Sequence, residues 1–160
     1  MIEIESCLKK RVISVSKSIT ILEAVHTVID NHIGTLPVVD EEGILVGIAT
    51  IQDLMKLFMP DFVSLIVDFE FVHDFGAMEF QRLEDQPEIA ATRITEVMSE
   101  PVSITVNERL LRTMSLMDKH DMCDIPVVDS EGRLVGIASH VDLASAFFKL
   151  WVGEELKECT

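Results

Sequence analysis

The chain has 160 residues, 13 basic against 28 acidic side chains, a formal net charge of −15 and an apolar fraction of 48%. That is one ordinary domain's length with enough apolar content for a core, and no low-complexity run points to disorder. The acidic balance excludes nucleic acid and anionic lipid surfaces as partners, since both reward clusters of Lys and Arg. No membrane partner is expected from the most apolar stretch either. Phe58 to Phe80 carries Asp61, Asp68, Glu70, Asp74 and Glu79, which a span would not tolerate.

In chain order, Met1 to Arg11 places Glu3 and Glu5 before its basic cluster and does not read as a signal peptide. Val12 to Ser16 alternates like a short strand. Thr20 with Glu23 three residues later forms a capping box for a helix whose apolar face is Ala24, Val25, Val28 and Ile29. Two apolar runs, Pro37 to Val39 and Leu45 to Ala49, flank the turn-forming cluster Asp40-Glu41-Glu42-Gly43 and read as a hairpin. A second helix begins at Thr50 as N-cap, with Asp53 in its first turn.

The connector from Phe58 to Met98 starts a further helix at Pro60. Phe62, Leu65, Ile66, Phe69 and Val72 fall on one face, and Phe71, Phe75 and Met78 on another. A helix apolar on two sides must be covered, either by the edge of its own module or by a homodimer or partner contact. This third of the chain is also the most acidic, with the solvated turn Glu84, Asp85 and Glu88 around Pro87, and an acidic surface can steer a basic partner.

The elements then recur. LPVVDEEGILVGIATIQDL, Leu36 to Leu54, returns as IPVVDSEGRLVGIASHVDL, Ile125 to Leu143, at an offset of 89, with 13 of 18 positions identical from Pro37 onward. Upstream, the segment from Val12 aligns with the segment from Pro101 at the same offset. The second copy thus has a strand at Val102 to Val106, a helix face of Leu110, Met114 and Met117, a turn at Asp129 to Gly132, and a helix from Ser139 with Asp142. The chain is α/β: a first β-α-β-β-α unit in 1–57, a helical connector in 58–98, a second unit in 99–150 and a tail in 151–160.

Two units in register, each with an LPVVD-type strand, a turn glycine and a G-hydrophobic-A-T/S-x-x-D-L ending, resemble a tandem pair of CBS domains, the cystathionine β-synthase motif or Bateman module. The resemblance implies two CBS repeats packed as a pseudo-two-fold pair, two clefts for adenosine-containing ligands, and a regulatory sensor in place of an enzyme. It also implies frequent homodimers. By the same resemblance, Gly47 to Asp53 and Gly136 to Asp142 are ribose and phosphate motifs. Thr50 with Asp53, and Ser139 and His140 with Asp142, are then ligand-binding, while Ser14, Val39, Ser103 and Val128 line the adenine pockets. Each cleft takes its first-strand residues from one repeat and its Asp motif from the other. Ser14 and Val39 therefore group with Ser139 and Asp142, and Ser103 and Val128 with Thr50 and Asp53.

The chemistry is sound on its own terms, because a carboxylate can accept both hydroxyls of a ribose cis-diol. The same residues also serve as plain helix caps, and the two roles are compatible. Family members that hold phosphate often carry His-Arg before the LPV strand, where this chain has Gly34-Thr35 and Cys123-Asp124. Asp124 would repel a phosphate by about 1–4 kcal/mol at contact, and Glu108 is expected to crowd the same cleft. Arg11, Lys17, His140 and Arg133 are the cations left to offset this. The expected ligand is AMP, ADP, ATP or S-adenosylmethionine, with the neutral or cationic adenosyl compounds favoured. The alternative is a structural dimerisation or protein-interaction module with empty clefts, acting through the Phe-rich connector.

No catalytic constellation or metal array follows from spacing. His26, His32, His73, His120 and His140 form no HxH or HxxxH pair, and Cys7, Cys123 and Cys159 form no CxxC. The odd, scattered cysteines are those of a reduced, cytoplasmic protein. The regulated protein itself is not named by any feature of the chain.

Overall fold

The structure is a computed structural model that describes residues 4–58 and 85–153. The connector helix expected from Pro60 through Met78, with its Phe faces, lies outside the described residues, as does Cys159.

Each unit builds one three-stranded sheet. In the first, β1 (Val15–Ser16) runs parallel to β2 (Thr35–Val39), which pairs antiparallel with β3 (Leu45–Thr50). Between β1 and β2 runs α1 (Ile21–Asn31), and α2 (Ile51–Lys56) follows β3. After the short α3 (Pro87–Ala91) the second unit repeats the plan: β4 (Ile104–Thr105), α4 (Leu110–Lys119), β5 (Asp124–Val128), β6 (Leu134–Ser139) and α5 (His140–Trp151).

Local sequence explains most boundaries. Thr20, Thr50 and Ser139 each accept a hydrogen bond from the backbone amide three residues on, and the Glu23, Asp53 and Asp142 carboxylates answer the cap amides, so all three expected caps form full capping boxes. In both hairpins an aspartate, Asp40 or Asp129, accepts two backbone amides across the turn. The turn closes on a glycine with φ of 79° (Gly43) or 83° (Gly132), where a side chain would be strained.

Two expectations fail. The first strands are two residues long: Val12 and Ile13 lie outside the sheet, about a cleft shared with Ile137 and Ser139 of the second unit, and Val102, also outside its strand, packs against the core of its own unit. Ile29, placed on the apolar face of α1, is 59% exposed; the buried stripe is Ile21 and Ala24, with Val25 and Val28 packed against it.

The cores are exchanged at their edges. Ile4, Cys7 and Leu8, at the start of the chain, pack with Ile104, Leu110, Met117, Ile125 and Val127 of the second unit. Ile94, Val97 and Met98, just before the second unit, pack with Ile21, Leu36 and Val38 of the first. Lys9 bridges to Ile137, and Ser99 to Ile48, by reciprocal backbone hydrogen bonds. These approaches are so close that a Cβ on Gly136 would collide with Leu8, and one on Gly47 with Met98. The hairpin tips also join, Leu45 N–H donating to Gly132 and Leu134 N–H to Gly43. Both exchanges relate equivalent positions, so the units pack about a pseudo-two-fold axis.

Candidate functional site

Two clefts lie where the units meet. The larger, about 750 Å³, takes Thr50, Asp53 and Lys56 from the first unit, and Ser99, Glu100, Val102 and the Asp121–Asp124 turn from the second. The smaller, about 260 Å³, reverses the contributions: Lys9, Arg11, Val12, Ile13 and His32 from the first unit, Ile137 and Ser139 from the second. The larger has the volume of a small-molecule site. Thr35 and Asp124, equivalent positions 89 apart, meet on the pseudo-axis, where the Thr35 hydroxyl donates to the Asp124 carboxylate at 2.9 Å. Both residues line both clefts, so this one hydrogen bond is a shared wall.

The capping boxes set what each aspartate can offer. Asp53 Oδ2 accepts from the Thr50 amide (3.0 Å) and hydroxyl (2.7 Å), while among the described residues Oδ1 has only Lys56 Nζ, at 3.4 Å. Asp142 Oδ2 is used the same way by Ser139 and also receives Lys9 Nζ at 3.0 Å; among the described residues its Oδ1 has no hydrogen-bond partner. Of the two aspartates, Asp53 lines the larger cleft, and with one carboxylate oxygen spent on the cap it keeps the other as an acceptor for a ligand hydroxyl.

Burial pushes the Asp142 carboxyl up, but the Ser139 hydroxyl, the Lys9 ammonium and the Ser139 amide more than reverse it, holding the group below its ordinary value. A carboxyl depressed in the folded state contributes stability above its unfolded pKa, about 3.9, and loses that contribution as pH falls through the folded value. The wild type is expected to melt above Asp142→Asn at pH 6, with the gap closing as pH falls below about 4. Melting temperatures of both proteins against pH check this, and a gap that persists into acid contradicts it.

Of the expected site residues, Thr50 and Asp53 line the larger cleft and Ser139 the smaller. Asp142 sits behind Lys9 and is not itself on the wall. Ser14, Val39, Ser103 and Val128 line neither cleft; their place is taken by Ile13 and Val102, one residue earlier on each entry segment. His140 also lines neither, and its Nε2 lies 3.8 Å from Asp118. Glu108 does not crowd a cleft: its carboxylate accepts from the Arg109 amide and faces Arg112.

The expected cations also sort differently. Lys17 pairs with Glu41 at 3.0 Å, Arg133 with Glu131, and of the four only Arg11 reaches a cleft wall. Sequence reasoning missed Lys9, His32 and Asp121. The last two hold equivalent left-handed positions after α1 and α4, with φ of 54° and 52°. The signal was present as a polar residue ending each first helix, a place where His and Asp tolerate that conformation.

The CBS-domain family profile matches residues 4–60 and 94–149. The chain belongs to the CBS-domain family. A CBS pair is a regulatory module, and two such repeats are what the two sheets represent. Among relatives, MJ1426 of Methanocaldococcus jannaschii is 28% identical over 148 residues, covering 86% of each chain. The CBS domain-containing protein YhcV of Bacillus subtilis is 30% identical over 145 residues, covering 90% of this chain and 84% of its own. Among solved structures, the CBS domain pair of protein MJ0100, in complex with 5′-methylthioadenosine and S-adenosyl-L-methionine, superposes with a TM-score of 0.67 at 26% identity, covering 93% of this chain and 98% of that one. Among the described residues, no helix is long and apolar enough to cross a membrane, and no three His, Cys, Asp or Glu side chains group as a metal site.

Proposed function

We propose that this CBS pair is a regulatory sensor, not a catalyst, which binds an adenosine-containing ligand between its repeats. The observation that carries the reading is the larger cleft, in which the Thr50–Asp53 capping box of one unit faces the entry segment of the other. The likeness to the MJ0100 pair, which holds two adenosyl compounds, supports it.

A ligand wedged there touches both units and favours one relative packing. A protein that prefers that packing is bound more or less tightly by the same factor. The regulated protein is recognised by whichever arrangement the ligand selects.

The first test is a thermal melt against AMP, ADP, ATP, adenosine, S-adenosylmethionine and their 2′-deoxy forms. A ligand at 100 times its Kd is expected to add about 2.7 kcal/mol, with the shift reduced when the 2′-hydroxyl is absent. No shift across the panel defeats the sensor reading in favour of an interaction module.

The sensor is proposed to act as a homodimer in the cytoplasm. Helix α5 leaves Phe148 57% and Trp151 79% exposed beside Leu150 and Val152, an apolar face of the kind that contacts a second copy. Sedimentation at twice the chain's 17.9 kDa is the expected result; a monomer at all concentrations opposes it.

A further inference from the structure

The two clefts are related by the pseudo-axis, yet their charges are not. Four carboxylates line the larger cleft (Asp53, Glu100, Asp121 and Asp124), against one ammonium, Lys56, which lies 3.4 Å from Asp53. Asp124 is the one carboxylate on the wall of the smaller cleft, which carries Lys9 and Arg11. The difference arises where each entry segment meets the opposite unit, Lys9 and Arg11 on one wall against Ser99 and Glu100 on the other, and at the turn after each first helix, where His32 is the equivalent of Asp121, 89 residues on. Lys9 is anchored by Asp142, leaving Arg11, which has no ion-pair partner among the described residues, as the cation open to a ligand.

We propose that the clefts are sorted by charge. The larger takes an adenosyl ligand with a cationic tail, a sulfonium or an ammonium, and the smaller takes the phosphate-bearing one. The inference rests on the sensor reading above and specifies which ligand class each cleft accepts.

Coulomb's law decides the direction. A phosphate in the larger cleft would face several carboxylates at once, each repulsion adding to the next, whereas a sulfonium is attracted by the same groups. In the smaller cleft a phosphate meets the Arg11 guanidinium, which can bind it through two parallel N–H donors. Asp124 contributes its charge to both walls, so it does not distinguish the clefts. The smaller volume of the second cleft limits it to one compact ligand, which a mononucleoside monophosphate satisfies better than a triphosphate.

The test is titration calorimetry with AMP and with S-adenosylmethionine, separately and in the presence of the other. Both are expected to bind the wild type together. Arg11→Ala should weaken AMP about five- to tenfold with little change for S-adenosylmethionine. The double variant Glu100→Gln with Asp121→Asn should do the reverse, and asparagine keeps the left-handed conformation that position 121 requires. Raised salt should weaken both ligands, as screened charge contacts demand. Mutual displacement at one site, or an equal effect of either variant on both ligands, overturns the sorting while leaving the sensor intact. Failure of both ligands to bind the wild type overturns the sensor reading and the sorting with it.

Discussion

Ile4→Ala is expected to destabilise the second unit, not the first, by about 2–5 kcal/mol. Ile4 is fully buried among Ile104, Leu110, Met117 and Ile125, and its amide donates to the Glu108 carbonyl at 3.2 Å. Truncating it leaves a cavity in a core to which, by position in the chain, it does not belong. Ile94→Ala, fully buried in the other cluster, should mirror the effect on the first unit. Each kcal/mol lowers Tm by about 2–4 °C in a chain of this size.

Native-state hydrogen exchange separates the units. Ile4→Ala should speed exchange most at the amides of β5 and β6, and Ile94→Ala most at those of β2 and β3. Uniform acceleration across both sheets would show that the pair opens only as a whole. The exchanged edges matter for signalling, because the segments that lock each unit onto the other, around Lys9 and Ser99, also line the two clefts. A ligand pressing on Arg11 or Glu100 therefore presses on the strap that holds the opposite core.

This exchange explains which parts of the molecule were legible in the sequence. Capping boxes at Thr20, Thr50 and Ser139 and the turns at Gly43 and Gly132 depend on residues within four positions of one another, and such local chemistry reads directly from the chain. Ile4 and Leu8 announce burial by being apolar but carry no sign of which unit buries them. Val12, Ile13 and Val102 alternate as a strand does, but they lie outside the paired residues and line the clefts between the units instead. The cleft walls were least legible, since Lys9 joins Asp142, and Thr35 joins Asp124, only once the two units are in contact. The resemblance placed Thr50 and Asp53 at a ligand site by motif, and His140 as a cation within the matching motif Gly136 to Asp142. The cleft includes the first two, whereas His140 opens α5 on the side of Asp118.

Asp53→Asn is expected to lower ligand affinity in the larger cleft about 10- to 100-fold, the worth of one to two hydrogen bonds to a charged acceptor. The substitution is chosen because Asp53 has two jobs on two atoms. Oδ2 closes the cap of α2 through Thr50, and Oδ1 of this cleft-lining residue has, among the described residues, only the long Lys56 contact. An asparagine can turn its carbonyl oxygen toward Thr50 and keep the cap, presenting an NH₂ where the carboxylate oxygen was. Hydroxyls of a ribose then meet a donor instead of an acceptor. Stability without ligand should change by less than about 1 kcal/mol, the usual worth of a cap, while Asp53→Ala should lose both the cap and the ligand. Calorimetry with adenosine and 2′-deoxyadenosine completes the argument. The wild type should prefer the ribose form, and Asp53→Asn should bind the two alike, because the discriminating acceptor is gone. Equal preference in both proteins would assign Asp53 to the helix cap alone and move the ligand's anchor to the entry segment around Val102.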